Sequence, residues 1–285
     1  MDPHALAFYL VCALGLGLAL ALLAWPQWVA WRRARVVAQV FPAKWRKVLR
    51  RRVPLVHRLP VPLQLQLKKH MQVFIAEKAF IGCAGLRVTD EMRVVIAAQA
   101  CLLLLNRSTH YFPNLRQILL YPGAFAVDRA TTDGAGVLQE QRQALAGESW
   151  SQGQVILSWQ DCLEGAARSD DGRNVVIHEF AHQLDQENGT ANGAPPQAPR
   201  PAVGATGRHN AQRWAQVFQA AYAQLQEEAH TGVQGLLSHY GAQDPAEFFA
   251  VVSEVFFEQG AALLTHYPSL YAELAGFYQV DSAAW

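Results

Sequence analysis

The residues whose types and spacing point most directly to chemistry are His178, Glu179 and His182, within Val-Ile-His-Glu-Phe-Ala-His-Gln-Leu-Asp at 176–185. Two histidines four apart on a helix project from the same face about one turn from each other, as two ligands of one tetrahedral zinc ion must. In this His-Glu-x-x-His arrangement the glutamate accepts a proton from water and does not bind the metal. The pattern therefore predicts a catalytic zinc site with Glu179 as general base.

The helix that positions these side chains is predicted between Asn174 and Gly189. Asn174 or one of the two aspartates before it can cap its start, apolar residues recur at helical spacing, and Asn-Gly is a typical end. The alternative is a core helix with hydrogen-bonded histidines, which must bury two imidazoles and a carboxylate without a metal. Asp185, one turn after His182, is a candidate to hold a ligand imidazole in the right tautomer, with a plain helix-surface carboxylate as the alternative.

A third protein ligand is required, because catalytic zinc is held by three side chains and keeps one open position. Asp244 and Pro245 predict the start of a second helix, which carries Glu247 in its first turn and Glu254 seven residues later. The two glutamates lie about 10 Å apart along one helix face, so both cannot touch one metal ion. Glu247 has a further alternative, as the capping-box partner of Asp244.

The charge distribution divides the chain. The formal net charge is +1, yet no acidic residue occurs between Pro3 and Ala76, where 12 Lys and Arg residues lie, while 12 basic and 22 acidic residues follow from Glu77 onward. A membrane-proximal location explains this basic neck, so no direct nucleic-acid partner is expected. Four scattered cysteines without a Cys-x-x-Cys pair are typical of free thiols in a reducing compartment.

The amino-terminal segment at residues 5–25 carries no charge and is long enough to cross a membrane as a helix. Trp25, Trp28 and Trp31 follow at helical spacing, and the arginines after them favour a cytoplasmic location for the rest of the chain. A cleaved signal peptide would instead begin with basic residues. We predict an uncleaved single-pass anchor, with a buried helix of a soluble cytoplasmic protein as the alternative.

Three domains are predicted: an anchor at 1–31, a basic helical neck at 32–88 and a main domain at 89–285. Helices are predicted at 42–52, 62–81 and 89–105.

Strands are predicted at 117–127 and 155–159, so a small sheet precedes the metal-binding helix. Val155, Leu157 and Trp159 of the second strand are candidates for binding a substrate backbone, and an ordinary core strand is the alternative. Residues 192–209 predict a long surface loop over the cleft.

Four segments together carry a family resemblance: Val-Ile-His-Glu-Phe-Ala-His-Gln-Leu-Asp at 176–185, Tyr-Pro-Gly-Ala-Phe at 121–125, Val-Ile-Leu-Ser-Trp at 155–159 and Asp-Pro-Ala-Glu-Phe-Phe-Ala at 244–250. The combination resembles the Mlc titration factor A family of bacterial zinc peptidases over roughly residues 41–285. The resemblance implies an α+β, mostly helical fold with a zincin-like (gluzincin) core and a small sheet, similar to the carboxy-terminal domain of anthrax lethal factor.

The resemblance also implies functional residues and partners. It selects Glu247 over Glu254 as the third zinc ligand, beside His178 and His182, and makes Tyr240 a hydroxyl near the scissile carbonyl; His239 is the alternative for that role. It implies a regulatory peptidase acting on a peptide or protein substrate, with a Mlc-like transcriptional repressor as a partner. The competing hypothesis is a non-catalytic regulator with structural zinc. The best-known member is soluble and cytosolic, whereas the anchor at 5–25 places this bacterial chain in the inner membrane, facing the cytoplasm.

Overall fold

The chain begins with a long apolar helix, α1 (Pro3–Val37). The part of this helix from Phe8 to Val37 contains a stretch that is not buried within the protein and is long and apolar enough to cross a membrane. At the end of this stretch the guanidinium of Arg32 lies 5.4 Å from the centre of the Trp28 ring and that of Arg35 lies 4.8 Å from the Trp31 ring. Such cation–π pairs suit a boundary between an apolar and a charged environment.

The computed structural model describes residues 3–132, 138–145, 147–150, 153–196 and 207–285. The chain divides into two units, Met1–Val40 and Phe41–Trp285. The core of the second unit takes side chains from residues 41–74 as well as from those after 90. The domain boundaries expected at 31 and 88 stay a prediction.

The helices of the second unit are α2 (Ala43–Arg52), α3 (Leu55–Arg58), α4 (Val61–Glu77), α5 (Asp90–Leu102), α6 (Trp159–Ala167), α7 (Val175–Asp185), α8 (Gly207–Thr231), α9 (Pro245–Glu258), α10 (Gly260–His266) and α11 (Pro268–Tyr278). Sequence signals set several of these starts, since the Thr89 hydroxyl accepts from the Met92 amide to begin α5 and prolines occupy the first turns of α4, α9 and α11. α9 and α10 together are also apolar enough to cross a membrane, but α9 is buried from Phe248 to Glu258 and is therefore a core helix.

The strands are β1 (Ala79–Gly82), β2 (Gln117–Tyr121), β3 (Phe125–Thr132), β4 (Leu138–Leu145), β5 (Gly147–Trp150) and β6 (Gln154–Ser158). The main sheet has the order β1-β2-β6-β5, in which β1, β2 and β6 run parallel and β5 runs antiparallel to β6. β3 and β4 form a separate antiparallel pair. The prediction of a mostly helical α+β fold with a small sheet is confirmed.

Two predicted elements change in the structure. The helix expected over 62–81 ends at Glu77, and Ala79–Gly82 instead forms β1, because its backbone pairs with β2 and Lys78 Nζ donates to the carbonyl oxygens of Phe112 and Leu115. This strand is too short to show an alternating pattern in sequence. Of the loop predicted at 192–209, residues 197–206 lie outside the described residues, and α8 begins at Gly207.

Candidate metal centre

α7 carries the histidines and is anchored by its apolar face. Asn174 is its N-cap, and the side-chain oxygen of Asn174 accepts from the Ile177 amide at 3.1 Å. Phe180 is fully buried, with its ring centre 4.8 Å from that of Phe112 and 5.5 Å from that of Phe74. Because this face is fixed in the core, His178 and His182 are turned to the opposite side of the helix.

α9 supplies the carboxylate. Its N-cap Asp244 accepts from the amides of Ala246 at 2.8 Å and Glu247 at 3.0 Å, so the first turn is capped. The carboxylate of Glu247 is directed at the histidines of α7 and not back at Asp244, so Glu247 does not form a capping box with Asp244.

Three candidate ligand atoms meet between α7 and α9. Nε2 of His178 lies 3.2 Å from Nε2 of His182 and 2.9 Å from Oε2 of Glu247, and the third side of the triangle, His182 Nε2 to Glu247 Oε2, is 3.5 Å. Ligands about 2.0–2.1 Å from a tetrahedral zinc ion stand roughly 3.3–3.4 Å from one another. The spacing and the mixed nitrogen and oxygen donors therefore fit a metal ion bound by these three residues.

Glu254 contacts the same imidazole from its other side. Oε1 of Glu254 lies 2.8 Å from Nδ1 of His178. A carboxylate that accepts from Nδ1–H fixes the ring and leaves Nε2 free for a metal, which is the usual support of a histidine ligand. Sequence spacing presented Glu247 and Glu254 as rivals for one metal, whereas in the structure each takes one nitrogen of His178.

The electrostatics of the three donors favour a positive charge at their centre. Burial alone would lower the pKa of His178, but the carboxylates of Glu254 and Glu247 outweigh it and raise that pKa well above its usual value. Burial would raise the pKa of Glu247, but hydrogen bonds from His178 and His182 hold it well below its usual range. A proton and a metal ion therefore compete for Nε2 of His178.

The amino-terminal end of α7 is tied to α9 and α5 through Asn174. The backbone N–H of Asn174 donates to Glu254 Oε2, and its side-chain amide donates to Glu258 Oε1 at 2.9 Å and Gln99 Oε1 at 2.8 Å. Asn174 is buried, so these contacts are shielded from water. From the sequence, Asn174 is predicted only as a cap, because a single sequence gives no signal for partners this distant along the chain.

The carboxy-terminal end of α7 is tied to α9 through Asp185. Its Oδ2 accepts from the amides of Asn192 and Gly193, both at 2.7 Å, and burial raises the pKa of Asp185 despite these bonds. Gly193 has φ +76° and packs against Pro245, the first residue of α9. The contact is so close that a Cβ at Gly193 would lie 2.4 Å from the carbonyl oxygen of Pro245. The contact to a ligand imidazole predicted for Asp185 stays a prediction, and the described contacts of Asp185 hold this turn instead.

Gly193→Ala should therefore weaken metal binding about tenfold or more, because the new methyl group displaces Pro245 and with it Glu247, two residues further on. Gly232→Ala is the matched control, since Gly232 has φ +73° but nothing within 4 Å of the added Cβ. Both variants carry the same backbone strain of about 1 kcal/mol. Competition with a chelating dye measures the affinity, and an equal loss in both variants would show that strain alone acts.

A cleft of about 610 Å³ is lined by His178, Glu179, Tyr240 and Glu254. Glu179 is 4% exposed, whereas Tyr240 is 44% exposed, with its ring centre 5.8 Å from that of His178. His239 is directed elsewhere, with Nε2 2.8 Å from the Val233 carbonyl oxygen. The structure thus brings Glu179 and Tyr240 to one cleft and leaves His239 out of its lining.

The strand predicted to bind substrate has no free edge. β6 lies between β2 and β5 in the sheet, and Val155 and Leu157 are fully buried. Trp159 follows the strand as the first residue of α6. The edge strand on this side is β5, which contacts α7. β6 thus has the position of an ordinary core strand, and substrate binding by Val155, Leu157 and Trp159 stays a prediction.

Comparison with known proteins adds independent findings. Residues 28–279 match the family model described as glucose-regulated metallo-peptidase M90. A Synechocystis sp. protein described as uncharacterized is 38% identical over 274 residues, covering 95% of this chain and 96% of the relative. Mlc titration factor A of Yersinia pestis and that of Yersinia pseudotuberculosis are each 32% identical over 257 residues, covering 89% of this chain and 90% of the relative.

These matches include the candidate site and differ in how much of α1 they include. The family model begins at residue 28 and so contains every residue of the metal centre but little of α1. The Synechocystis match leaves 5% of this chain unaligned, which is fewer residues than the 35 of α1, so it includes part of this helix. The family resemblance inferred from the motifs is confirmed.

Proposed function

The chain belongs to the glucose-regulated metallo-peptidase family M90, and on that premise we propose that it is a zinc peptidase with Glu179 as general base. The observation that carries the proposal is the triangle of His178, His182 and Glu247, with Glu179 on the same helix beside it. We also propose a gluzincin core like that of the anthrax lethal factor carboxy-terminal domain. The basis is α9, which follows the His-Glu-x-x-His helix and carries the candidate ligand Glu247.

Zinc suits this donor set, because two imidazoles and one carboxylate leave one of four positions open. When bound, the ion supplies Lewis-acid chemistry, which polarises a carbonyl and lowers the pKa of water. Glu254 keeps the His178 ring oriented by accepting from Nδ1. Asn174 and Asp185 keep α7 and α9 in register at the two ends of the site.

The remaining steps belong to side chains of the cleft. Glu179 accepts a proton from the attacking water and then donates it to the leaving amine. The Tyr240 hydroxyl donates to the carbonyl oxygen as negative charge develops there, which its exposed position in the cleft allows. An extended peptide pairs with the backbone of β5, the edge strand beside α7 in the described sheet.

A second candidate function is a non-catalytic regulator that binds a transcriptional repressor. The observation that favours it is the name of two relatives, Mlc titration factor A, which refers to the protein Mlc. A site that serves only structure has no use for Glu179 and is usually closed by a fourth protein ligand. In the described residues, three protein side chains form the cluster, which is the number of protein ligands typical of a catalytic zinc site.

The deciding experiment is digestion of a peptide library by the purified full-length protein, with metal content measured on the same sample. We expect about one equivalent of zinc and cleavage that a chelator stops and added zinc restores. Zinc-loaded protein that binds a Mlc-like repressor but cleaves neither the library nor that partner would favour the regulator.

We further propose that α1 anchors the protein in the inner membrane as a single pass, with the second unit in the cytoplasm. Full-length protein should then sediment with membranes through alkaline carbonate washing, and deletion of residues 1–31 should release active, metal-containing protein into the supernatant. A reporter that is active only in the cytoplasm should be active when it is fused after Trp285. Soluble full-length protein after gentle lysis, or a periplasmic reporter, would contradict the anchor.

A further inference from the structure

Six cations of the basic neck form two groups that differ in their contacts. Lys44 forms a salt bridge with Asp90, and Arg52 forms one with Glu91, so the first turn of α5 neutralises both. Arg58 is also engaged, since its guanidinium donates to the backbone and hydroxyl oxygens of Ser169. These contacts hold the neck helices against the rest of the second unit.

The second group faces a cavity. Arg46, Arg50 and Lys68 line a pocket of about 370 Å³ between α2, α3 and α4, with His57 and Gln64 beside them. Its lining contains no carboxylate, and within the part of the chain that the structure describes no acidic side chain forms a salt bridge with these three cations. One guanidinium nitrogen of Arg46 donates to the Phe41 carbonyl oxygen at 2.8 Å, which leaves its charge unbalanced.

Three like charges around one pocket repel one another, and an anion with several charged oxygens would relieve this repulsion. Guanidinium groups present paired donors that match phosphate geometry, and Lys adds a point charge. The pocket floor is apolar, since Leu49 and Val56 are both buried. A cationic rim over an apolar floor suits a phosphate group attached to an apolar body better than a free ion.

The pocket follows α1 closely along the sequence. α1 ends at Val37 and α2 begins at Ala43, so five residues separate the two helices in the chain. Basic clusters close to a membrane-spanning helix on its cytoplasmic side bind anionic lipids.

We propose that Arg46, Arg50 and Lys68 form a binding site for the phosphate group of an anionic phospholipid. The three cations bind the headgroup phosphate, and the buried Leu49 and Val56 contact the apolar part of the lipid that adjoins it. Phosphate binding is inferred from the pocket alone. The inference that a lipid supplies the phosphate rests on the membrane anchoring proposed above for α1.

The test uses full-length protein in nanodiscs of phosphatidylcholine alone and of phosphatidylcholine with phosphatidylglycerol. Hydrogen exchange of the backbone amides at residues 43–68 should be several-fold slower in the discs that contain phosphatidylglycerol. The double variant Arg50→Gln, Lys68→Gln should lose this protection. The matched variant Lys44→Gln, Arg52→Gln removes the same charge from ion-paired positions and should keep it.

Two further arms separate the alternatives. Inorganic phosphate titrated onto protein in phosphatidylcholine discs should protect these amides weakly; protection as strong as that by phosphatidylglycerol would overturn the lipid and leave a free-phosphate site. No protection in any arm would overturn the site, and equal loss in both double variants would show non-specific charge attraction instead. The phosphate arm needs no inserted helix, so failure of α1 to span a membrane and failure of the pocket give different results.

Discussion

Glu179→Gln should retain its metal and lose peptide hydrolysis by about 10²–10⁴-fold, the usual contribution of a general base. The amide keeps the size and the buried position of the side chain but cannot accept a proton at neutral pH. The ligands are untouched, because Glu179 is not one of the three residues that meet at the centre. Metal content and kcat measured on one preparation report the two effects separately.

Glu187→Gln is the matched control for this variant, because it removes one carboxylate from the turn that follows α7 without changing the cleft lining. Its kcat and metal content should equal those of the unaltered protein. If Glu179→Gln kept its activity, the proton acceptor would have to be another group, and the proposed mechanism would fail. If it lost the metal, Glu179 would serve the site as a ligand or as structural support.

Glu247→Ala should purify nearly free of metal, because removing one of three ligands takes away most of the affinity. Glu254→Ala should keep a measurable site with affinity lower by about 10–100-fold, because it removes the partner of His178 Nδ1 and not a donor to the metal. Glu254→Gln should recover only part of that loss, since its amide oxygen can still accept from Nδ1–H but its NH2 group then faces the backbone N–H of Asn174. Titration with a competing chelator measures all three.

The reverse order, with Glu254→Ala free of metal and Glu247→Ala loaded, would move the ligand to Glu254. Equal losses in the two alanine variants would show that both carboxylates matter only through the packing of α9. Thermal midpoints of the metal-free proteins separate these cases, because Glu254 also accepts from the Asn174 backbone and Glu247 makes no such contact in the described structure.

The sequence was sufficient to predict the helix around His178, because its capping residue and apolar spacing lie within one short segment. It was not sufficient to choose between Glu247 and Glu254, since residues seven apart share a helix face and spacing along one helix does not show which nitrogen of a distant ring each reaches. Family resemblance, not geometry, selected Glu247.

Other features depend on contacts between distant parts of the chain, which local patterns do not encode. β1 forms because the backbone of Ala79–Gly82 pairs with β2, although the apolar pattern of the preceding helix continues through these residues in the sequence. Val155 and Leu157 are alternate residues of a strand, but only the strand order shows that β5 covers its free side. The turn at Gly193 is indicated by the pair Asn192-Gly193, yet its contact with Pro245 is not.

The ties at the two ends of α7 have a thermodynamic consequence. Asn174 at one end and Asp185 at the other both lead to α9, so the two helices that carry the ligands are held in register by contacts that need no ion. The ligands are thus preorganised, and the conformational entropy of aligning them is lost when the chain folds. In zinc fingers, by contrast, the binding free energy is also the folding free energy. In this protein the ligands are aligned by the fold itself, so the metal-binding free energy determines how tightly, and how selectively, one metal ion is held.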